Sequence, residues 1–412
     1  MYRKYIIAII VLLLSSCEKS PDTSDGELKY YGDSFEDIGY TIAQVDNGYF
    51  IGGQFTALTR VGNIIVKEKS IKKMAVIKTG TDGNTVWKRS MGGRFPAVGT
   101  KILALEDGSV VCTGYVQDTL APYSKNLLVV KLDADGNTIL EKIFKSPGNQ
   151  YGTDIINTPE GFLVLGSTDV LREPSTVYTG NAAGKKDILL VRLDNNFGSI
   201  VTPFATGFIG NDEGVAIKSA IGGGYIVVGT TDRSLPSTEQ AGNNIILWRI
   251  RSDASVIEYR ILGGASDEYA ADIEVLTDGY LVVGNIGTEA TGQLGYAWQV
   301  PSNISSETIP GDTINIELEA KIKTPFSIKA MCPYKTSLFL MAGQFSTGLS
   351  ARMLIFVTDD SGNMVEGKKK VIGGTGTQAA NDVISDNEDN IIAVGKNSFE
   401  NNSMITLYKF RF

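Results

Sequence analysis

Short apolar runs recur along the chain, each preceded by turn-forming residues and closed by a glycine. Runs of this kind between turn residues predict buried β-strands. The spacing between closing glycines is about 50 to 60 residues, which is typical of a repeat architecture. The seven runs are NGYFIGG (47–53), DGSVVCTG (107–114), EGFLVLG (160–166), GGYIVVG (223–229), DGYLVVG (278–284), TSLFLMAG (336–343) and DNIIAVG (389–395).

Each repeat contains more than this one strand. A half-buried stretch such as AADIEVL (270–276) precedes the run, and a third strand such as NLLVVKLD (126–133) follows a variable loop. Turns such as ADGN (134–137) then lead into a fourth strand such as VIEYRILGG (256–264), and Asp-Gly between alternating runs is a strong hairpin signal. Four antiparallel strands per repeat predict an all-β fold, a seven-bladed β-propeller of four-stranded antiparallel blades.

The two ends of the chain complement each other. The seventh repeat stops at Phe412 after three strands, and ELKYYG (27–32) stands directly before the first repeat. We predict that this N-terminal strand is the outer strand of the last blade and closes the ring. Residues 27–412 then form a single propeller domain.

The first residues predict a targeting signal. Arg3 and Lys4 precede the apolar run IIAIIVLLL (6–14), which is too short to span a bilayer. The run ends at LSSC (14–17), which resembles the lipobox of bacterial lipoproteins. The resemblance implies a signal peptide over 1–16, lipidation of Cys17 and a flexible tether over 17–26. We therefore expect a lipid-anchored protein of the outer membrane that faces the cell surface, with a periplasmic orientation as the alternative.

A more specific resemblance rests on GGASDEYAADIEVLTDGYLVVG (263–284). This segment is similar to the propeller-type repeats of surface lipoproteins of the Bacteroidota. The resemblance extends over nearly all of 27–412 and is weakest at 301–322. It implies a propeller and names no ligand.

Composition narrows the chemistry. The chain has 46 Gly, only 20% charged residues and a net charge of −8, so nucleic acid is excluded as a partner. It has no histidine, which excludes Ser-His-Asp and Cys-His nucleophiles and histidine metal sites. Carboxylate, lysine, tyrosine or substrate-assisted chemistry remains available. Cys112 and Cys332 lie in separate strand-like runs and are predicted to be buried free thiols, with a disulfide as the alternative.

The segment IGGGYIVVG (221–229) has two interpretations. Three glycines beside a strand could bind a phosphate, but that motif requires the strand first and a helix or lysine afterwards. Here the strand follows the glycines, so a tight turn is predicted.

Acidic residues stand near the first strand of several repeats. A ring of carboxylates could bind Ca²⁺ or act as acid and base on a glycan. Their recurrence favours hydrogen bonding to backbone N–H groups of the connecting loops. The residues are Glu36, Asp37, Asp212, Glu213, Asp267, Glu268 and Asp382.

Long connections between second and third strands, at 54–73, 167–186 and 230–243, predict a loop-rich face suited to binding. The candidate ligand- or partner-binding residues are Phe55, Arg60, Tyr123, Arg172, Tyr178, Arg233, Phe345 and Phe399. The sequence therefore favours a non-catalytic binding or scaffold module for an envelope protein complex or an extracellular glycan. The alternative is a carboxylate-based glycan hydrolase or lyase on the loop-rich face. No catalytic residue, metal site or cofactor is predicted.

Overall fold

The structure is a computed structural model. It describes residues 26–58, 60–61, 64–65, 70–117, 125–146, 148–169, 184–233, 242–253, 255–263, 266–287, 293–304, 326–346, 350–374, 376–399 and 402–412. Throughout these residues the regular elements are β-strands, and none is a helix. The predicted all-β class is confirmed. Accordingly, these residues include no helix that could cross a membrane.

The strands form sheets in the order of the repeats. Strand β1 (Gly26–Phe35) precedes the first of these sheets. The first repeat contains β2 (Ile38–Val45), β3 (Gly48–Ala57), the short hairpin β4 (Arg60–Val61) and β5 (Ile64–Ile65), β6 (Ile71–Gly80) and β7 (Thr85–Met91). The second contains β8 (Ala97–Ala104), β9 (Val110–Gln117), β10 (Lys125–Leu132) and β11 (Thr138–Phe144). The third contains β12 (Gln150–Thr158), β13 (Gly161–Thr168), β14 (Asp187–Leu193) and β15 (Phe204–Thr206). The fourth contains β16 (Asp212–Ser219), β17 (Tyr225–Thr231), β18 (Asn244–Ile250) and β19 (Val256–Leu262).

The fifth and sixth repeats share one sheet of seven strands, β20 to β26, in which a single parallel pair, Leu294 with Phe326, joins the two repeats. The fifth contributes β20 (Glu268–Val275), β21 (Gly279–Ile286) and β22 (Leu294–Pro301). The sixth contributes β23 (Phe326–Lys335), β24 (Leu338–Ser346), β25 (Ala351–Asp359) and β26 (Met364–Ile372).

The two ends of the chain meet in the last sheet. It contains β27 (Thr377–Ser385), β28 (Ile391–Phe399) and β29 (Asn402–Phe410), with β1 as its outer strand. Strand β1 runs antiparallel to β29, with Gly26 opposite Phe410 and Leu28 opposite Tyr408. The predicted pairing of the N-terminal segment with the last strand is confirmed.

The sheets follow one another in a closed order. The first strand of each repeat packs against the first strand of the next repeat, and β27 packs against β2. Apolar side chains fill the spaces between neighbouring sheets: Phe50 of β3 shares a core cluster with Leu128 of β10, and Leu165 of β13 shares one with Trp248 of β18. Burial of each such side chain contributes about 1.5–3 kcal/mol, so neighbouring sheets stabilise each other. The result is a propeller-like arrangement.

The glycine triplet forms a turn. Gly222, Gly223 and Gly224 all have positive φ (77°, 96° and 68°), and the Ala220 N–H donates to the Gly224 carbonyl at 2.9 Å. Residues with a side chain seldom adopt these angles, which explains the three glycines. The triplet joins β16 to β17, so the predicted turn is confirmed.

The closing glycine of each repeat has a different cause. A Cβ on Gly229 would lie 2.1 Å from the Glu213 carbonyl oxygen in the neighbouring first strand, and the closing glycines of the other six repeats face a first-strand carbonyl in the same way. At each of these places the first strand carries a β-bulge, which brings its backbone close to the glycine. The closing glycine, which reveals the repeat in the sequence, is therefore required by the β-bulge that recurs in the first strand of every repeat.

Both described cysteines are free thiols. Cys112 is buried, and burial raises its pKa to about 12. Cys332 is only half-buried, which corrects the expectation that both would be fully buried. The predicted absence of a disulfide between them is confirmed.

Candidate functional site

The bulges of the first strands converge on one cavity. Each first strand has its bulge opposite the closing glycine, as between Gly99 and Lys101 in β8. A cavity of about 320 Å³ lies where these strands meet. All seven bulge residues line it, namely Tyr40, Thr100, Thr153, Val215, Ala271, Lys329 and Asn381.

The residue that follows the bulge carries charge in four of the first strands. Lys101, Asp154, Asp272 and Asp382 occupy this place in β8, β12, β20 and β27, and all four line the cavity. A bulge reverses the alternation of side chains along a strand, so two successive residues reach the cavity side. The bulges thus concentrate ionisable groups at the centre of the fold.

The three aspartates also connect neighbouring repeats. Asp382 accepts hydrogen bonds from the backbone N–H of Val383 at 2.9 Å and, in the first strand of the next repeat in the ring, from Ile42 at 3.0 Å. Asp154 accepts from Ile155 at 2.8 Å and from Ile217 of the next repeat at 2.9 Å.

Asp272 likewise accepts hydrogen bonds from the Ile273 N–H at 2.8 Å and from the Met331 N–H of the next repeat at 2.9 Å. Apart from Asp382 Oδ2, which also pairs with Lys101, these carboxylate oxygens keep a second lone pair for a ligand or water. The aspartates can therefore serve structure and chemistry together.

Two lysines that line the cavity pair with carboxylates, Lys101 with Asp382 of the cavity lining and Lys218 with Glu274 next to it. Lys101 Nζ lies 3.5 Å from Asp382 Oδ2, and this carboxylate is the main cause of the raised pKa of Lys101. Lys218 Nζ lies 2.6 Å from Glu274 Oε1. Burial acts to lower the pKa of Lys218, but the carboxylates of Asp272 and Glu274 raise it overall.

Burial also favours the protonated form of two acids. It raises the pKa of Asp272 and of Glu274 above their usual values, against the opposite effect of Lys218. A cavity that brings together a carboxyl group with raised pKa, two further aspartates and ammonium groups contains the parts needed for acid–base catalysis. Its volume is at the lower end of the range of small-molecule sites, about 300–1,000 Å³.

The predicted acidic pairs have mostly structural roles. Asp37 accepts from the Thr56 N–H at 2.6 Å, Asp212 from the Phe208 N–H at 2.6 Å and Asp267 from the Asn243 N–H at 2.8 Å. These donors lie at strand ends and in connecting loops, so the hydrogen-bonding interpretation is confirmed for these three. Asp382 was grouped with them in the sequence, but its place in the first strand is four residues further along than that of Asp37 and Asp212 and is the same as that of Asp154 and Asp272. No group of acidic or cysteine side chains suited to a metal ion occurs in the described residues.

The candidate binding residues of the loop-rich face fall into three groups. Tyr123, Arg172, Tyr178 and the side chain of Arg60 lie outside the described residues, as does Cys17. Phe55 is buried beneath the Lys88 ammonium, which lies 4.3 Å from the ring centre. The Arg233 guanidinium lies 4.1 Å from the centre of the Phe208 ring and donates to the Tyr259 hydroxyl at 3.2 Å.

The remaining two residues differ in exposure. Phe345 is half-buried against an apolar cluster between the fifth and sixth repeats. Phe399 is 49% exposed near the end of β28. The described residues of this set are spread over four repeats and do not form one cluster.

Sequence reasoning missed Lys101, Asp154, Lys218, Asp272 and Glu274. Asp154 and Asp272 stand 12 residues before their closing glycines, whereas Asp382 stands 13 residues before its own. The three positions are equivalent only in the strand register, which the sequence spacing does not give.

Comparison with known proteins gives only distant likenesses. No protein-family model matches the sequence, and no curated protein matches it. The fold is similar to a glucose dehydrogenase (TM-score 0.40, 10% identity, covering 92% of this chain and 98% of that chain). It is similar to the Trypanosoma rangeli sialidase in complex with the inhibitor DANA (TM-score 0.44, 10% identity, 80% and 56%). It is also similar to the polysaccharide lyase Uly1 (TM-score 0.43, 8% identity, 78% and 91%).

These likenesses agree with a propeller-like all-β fold and carry no substrate or reaction over to this chain. All three similar structures are enzymes, and on this finding the prediction of a non-catalytic binding or scaffold module is wrong.

Proposed function

We propose that this protein is a glycan-cleaving enzyme whose site is the central cavity. The observation that carries the proposal is the convergence of Asp272, with its raised pKa, and the Lys101–Asp382 ion pair on a single cavity. Because the chain has no histidine, carboxylates are its best available acid and base near neutral pH. A pair of carboxyl groups in different protonation states is the arrangement that glycoside hydrolysis requires.

The roles follow from the environments. Asp272 in its protonated form donates its proton to the glycosidic oxygen as the C–O bond breaks. The Asp382 carboxylate, oriented by two N–H donors and Lys101, activates the water that adds to the anomeric carbon, or itself forms the covalent intermediate. Tyr40 and Lys329 line the same cavity and orient sugar hydroxyl groups. The loop-rich face is the side from which the glycan enters.

The architecture and location belong to the same proposal. We propose that the seven first strands, which pack in a closed order, define seven blades and that β1 completes the last of them. We also propose that Cys17 is lipidated and anchors the enzyme to the outer membrane of a bacterium of the Bacteroidota type. Incorporation of a labelled fatty acid into the full chain, and its loss in Cys17→Ala, tests the anchor.

The enzymatic proposal is tested with the purified full chain in detergent and a panel of polysaccharides. Release of reducing ends is the readout, and the anomer first released identifies an inverting or a retaining reaction. Asp272→Asn should lower the rate by about 10²–10⁴-fold, because it removes the proton donor and retains one of the two hydrogen-bond acceptors. Asp135→Asn, in the turn between β10 and β11, is the matched control. Absence of cleavage across the panel, or equal rates for the two variants, would overturn the proposal.

A further inference from the structure

A second cluster of polar and aromatic residues lies beside the cavity, at the ends of strands in the second and third repeats. Tyr115 is in β9, Lys125 begins β10 and Tyr151 is in β12. The Lys125 ammonium lies 4.4 Å from the centre of the Tyr115 ring and 5.4 Å from that of Tyr151. All three side chains are half-buried, so the ammonium is held between two rings that remain accessible. We call these three residues the Tyr115–Lys125–Tyr151 cluster.

The Lys125 ammonium has no carboxylate within ion-pair distance among the residues that the structure describes. The neighbouring lysines differ in this respect, since Lys186 pairs with Glu213 and Lys72 with Glu36. Cation–π contacts of about 0.5–2 kcal/mol hold the ammonium in place without cancelling its charge. An ammonium group held in this way is suited to bind an anionic group.

The tyrosines complete such a site. Burial raises the pKa of Tyr115 and of Tyr151, so both hydroxyl groups remain protonated at neutral pH. The Tyr151 hydroxyl donates to Glu213 Oε1 at 3.4 Å, which leaves the Tyr115 hydroxyl as the donor for a ligand. Their rings offer flat apolar surfaces with a polar tip. A sugar ring has the complementary properties, with apolar C–H faces and polar hydroxyl groups. An acidic sugar adds the anion that Lys125 lacks.

The cluster is also continuous with the cavity. Tyr40 lines the cavity and is close enough to Tyr115 for the two hydroxyl groups to affect each other electrostatically. Tyr151 is two residues from Thr153, which lines the cavity as well. A glycan with one unit in the cavity can therefore place a neighbouring unit on the cluster.

We propose that the Tyr115–Lys125–Tyr151 cluster is a subsite for an acidic sugar unit, so that the substrate is an anionic glycan carrying carboxylate or sulfate groups. This inference rests on the proposed glycan-cleaving function and specifies its substrate class. Lys125 binds the anion, the two tyrosine rings contact the sugar ring, and the Tyr115 hydroxyl donates to one of its oxygen atoms.

Binding is measured by calorimetry in the Asp272→Asn chain, in which the ligand stays intact. The probes are uronic-acid oligosaccharides with their methyl esters, and sulfated oligosaccharides with their desulfated forms. Binding of only one acidic series identifies carboxylate or sulfate as the group recognised. Lys125→Met should lower the affinity for acidic ligands by about tenfold, which is the effect of losing one hydrogen bond to a charged group. Lys142→Met is the matched control, since Lys142 lies 5.7 Å from the Phe144 ring centre on the outer strand β11.

The outcomes separate this proposal from the enzymatic one. Equal affinity for neutral and acidic members, or equal behaviour of the two lysine variants, would overturn the anionic subsite. Comparable binding of polyglutamate would overturn its assignment to a glycan. Tight, Lys125-dependent binding by a wild-type chain that cleaves none of the probes would support the subsite and contradict the enzyme. Cleavage of neutral glycans alone would support the enzyme and contradict the anionic subsite.

Discussion

The aspartates of the cavity should contribute measurably to stability, and Asp154 tests this without touching the proposed catalytic pair. Its two oxygens accept from the N–H groups of Ile155 and Ile217 at 2.8 and 2.9 Å, and the second of these bonds joins two repeats. A hydrogen bond to a charged group contributes about 1.5–3 kcal/mol, and a buried N–H left without a partner costs about 1–3 kcal/mol. The adjacent cavity can supply water to part of the vacated space, which lowers these costs.

We therefore expect Asp154→Ala to lose about 3 kcal/mol of unfolding free energy. Asp154→Asn should lose roughly half as much unfolding free energy, because the amide oxygen still accepts one of the two hydrogen bonds. The other backbone N–H then faces the amide NH₂ group and has no acceptor. Guanidinium unfolding followed by tryptophan fluorescence gives both values, after reversibility has been established. Asp135→Ala, in an exposed turn, should be neutral. A loss below about 0.5 kcal/mol for Asp154→Ala, or a loss equal to that of Asp135→Ala, would refute the reasoning.

Two further predictions concern other parts of the fold. Burial raises the pKa of Asp212 from 3.8 to about 6, so the folded chain holds a proton that the unfolded chain releases. Stability should thus fall by up to about 3 kcal/mol as pH rises from about 4 to 6, and Asp212→Asn should flatten this part of the unfolding-midpoint profile; an unchanged slope would contradict the assignment. In the glycine turn, Gly223→Ala should cost about 1 kcal/mol for its positive φ. Gly224→Ala should cost at least about twice that in the same unfolding assay, because its Cβ would lie 2.3 Å from the Ile250 carbonyl oxygen, and equal losses would contradict this.

The parts of the fold that the sequence predicted correctly are those governed by local rules. Hairpin turns such as that at Gly222 to Gly224 and apolar runs such as that around Val227 depend on residues within one turn or one strand. Pairing of β1 with β29 was also predictable, because counting strands left one vacancy at the end of the chain.

The cavity residues could not be predicted in the same way. Alternation along a strand assigns side chains to faces, but a single bulge reverses the assignment for every residue that follows. Asp154 therefore looks from its sequence like an ordinary position of a half-buried strand. Its role depends on a backbone irregularity at Thr153 and on the Ile217 N–H, which is 63 residues away in the chain. Sequence patterns describe residues that are close along the chain, whereas this site is formed by residues of different repeats that meet at the cavity.

The position of Lys101 follows from the geometry of that ring. Aspartate occupies the place after the bulge in the third, fifth and last repeats. Each of these aspartates accepts a hydrogen bond from a backbone N–H of the following repeat. The following repeat has a small residue at the same place. Because the number of first strands is odd, aspartate and a small residue cannot alternate around the whole ring. At this place the second repeat has no aspartate, and neither has the first repeat, which precedes it. Lys101 stands there, paired with Asp382. The break in the pattern thus supplies a cation to a cavity lined with carboxylates, where the proposed catalytic mechanism uses it to orient Asp382.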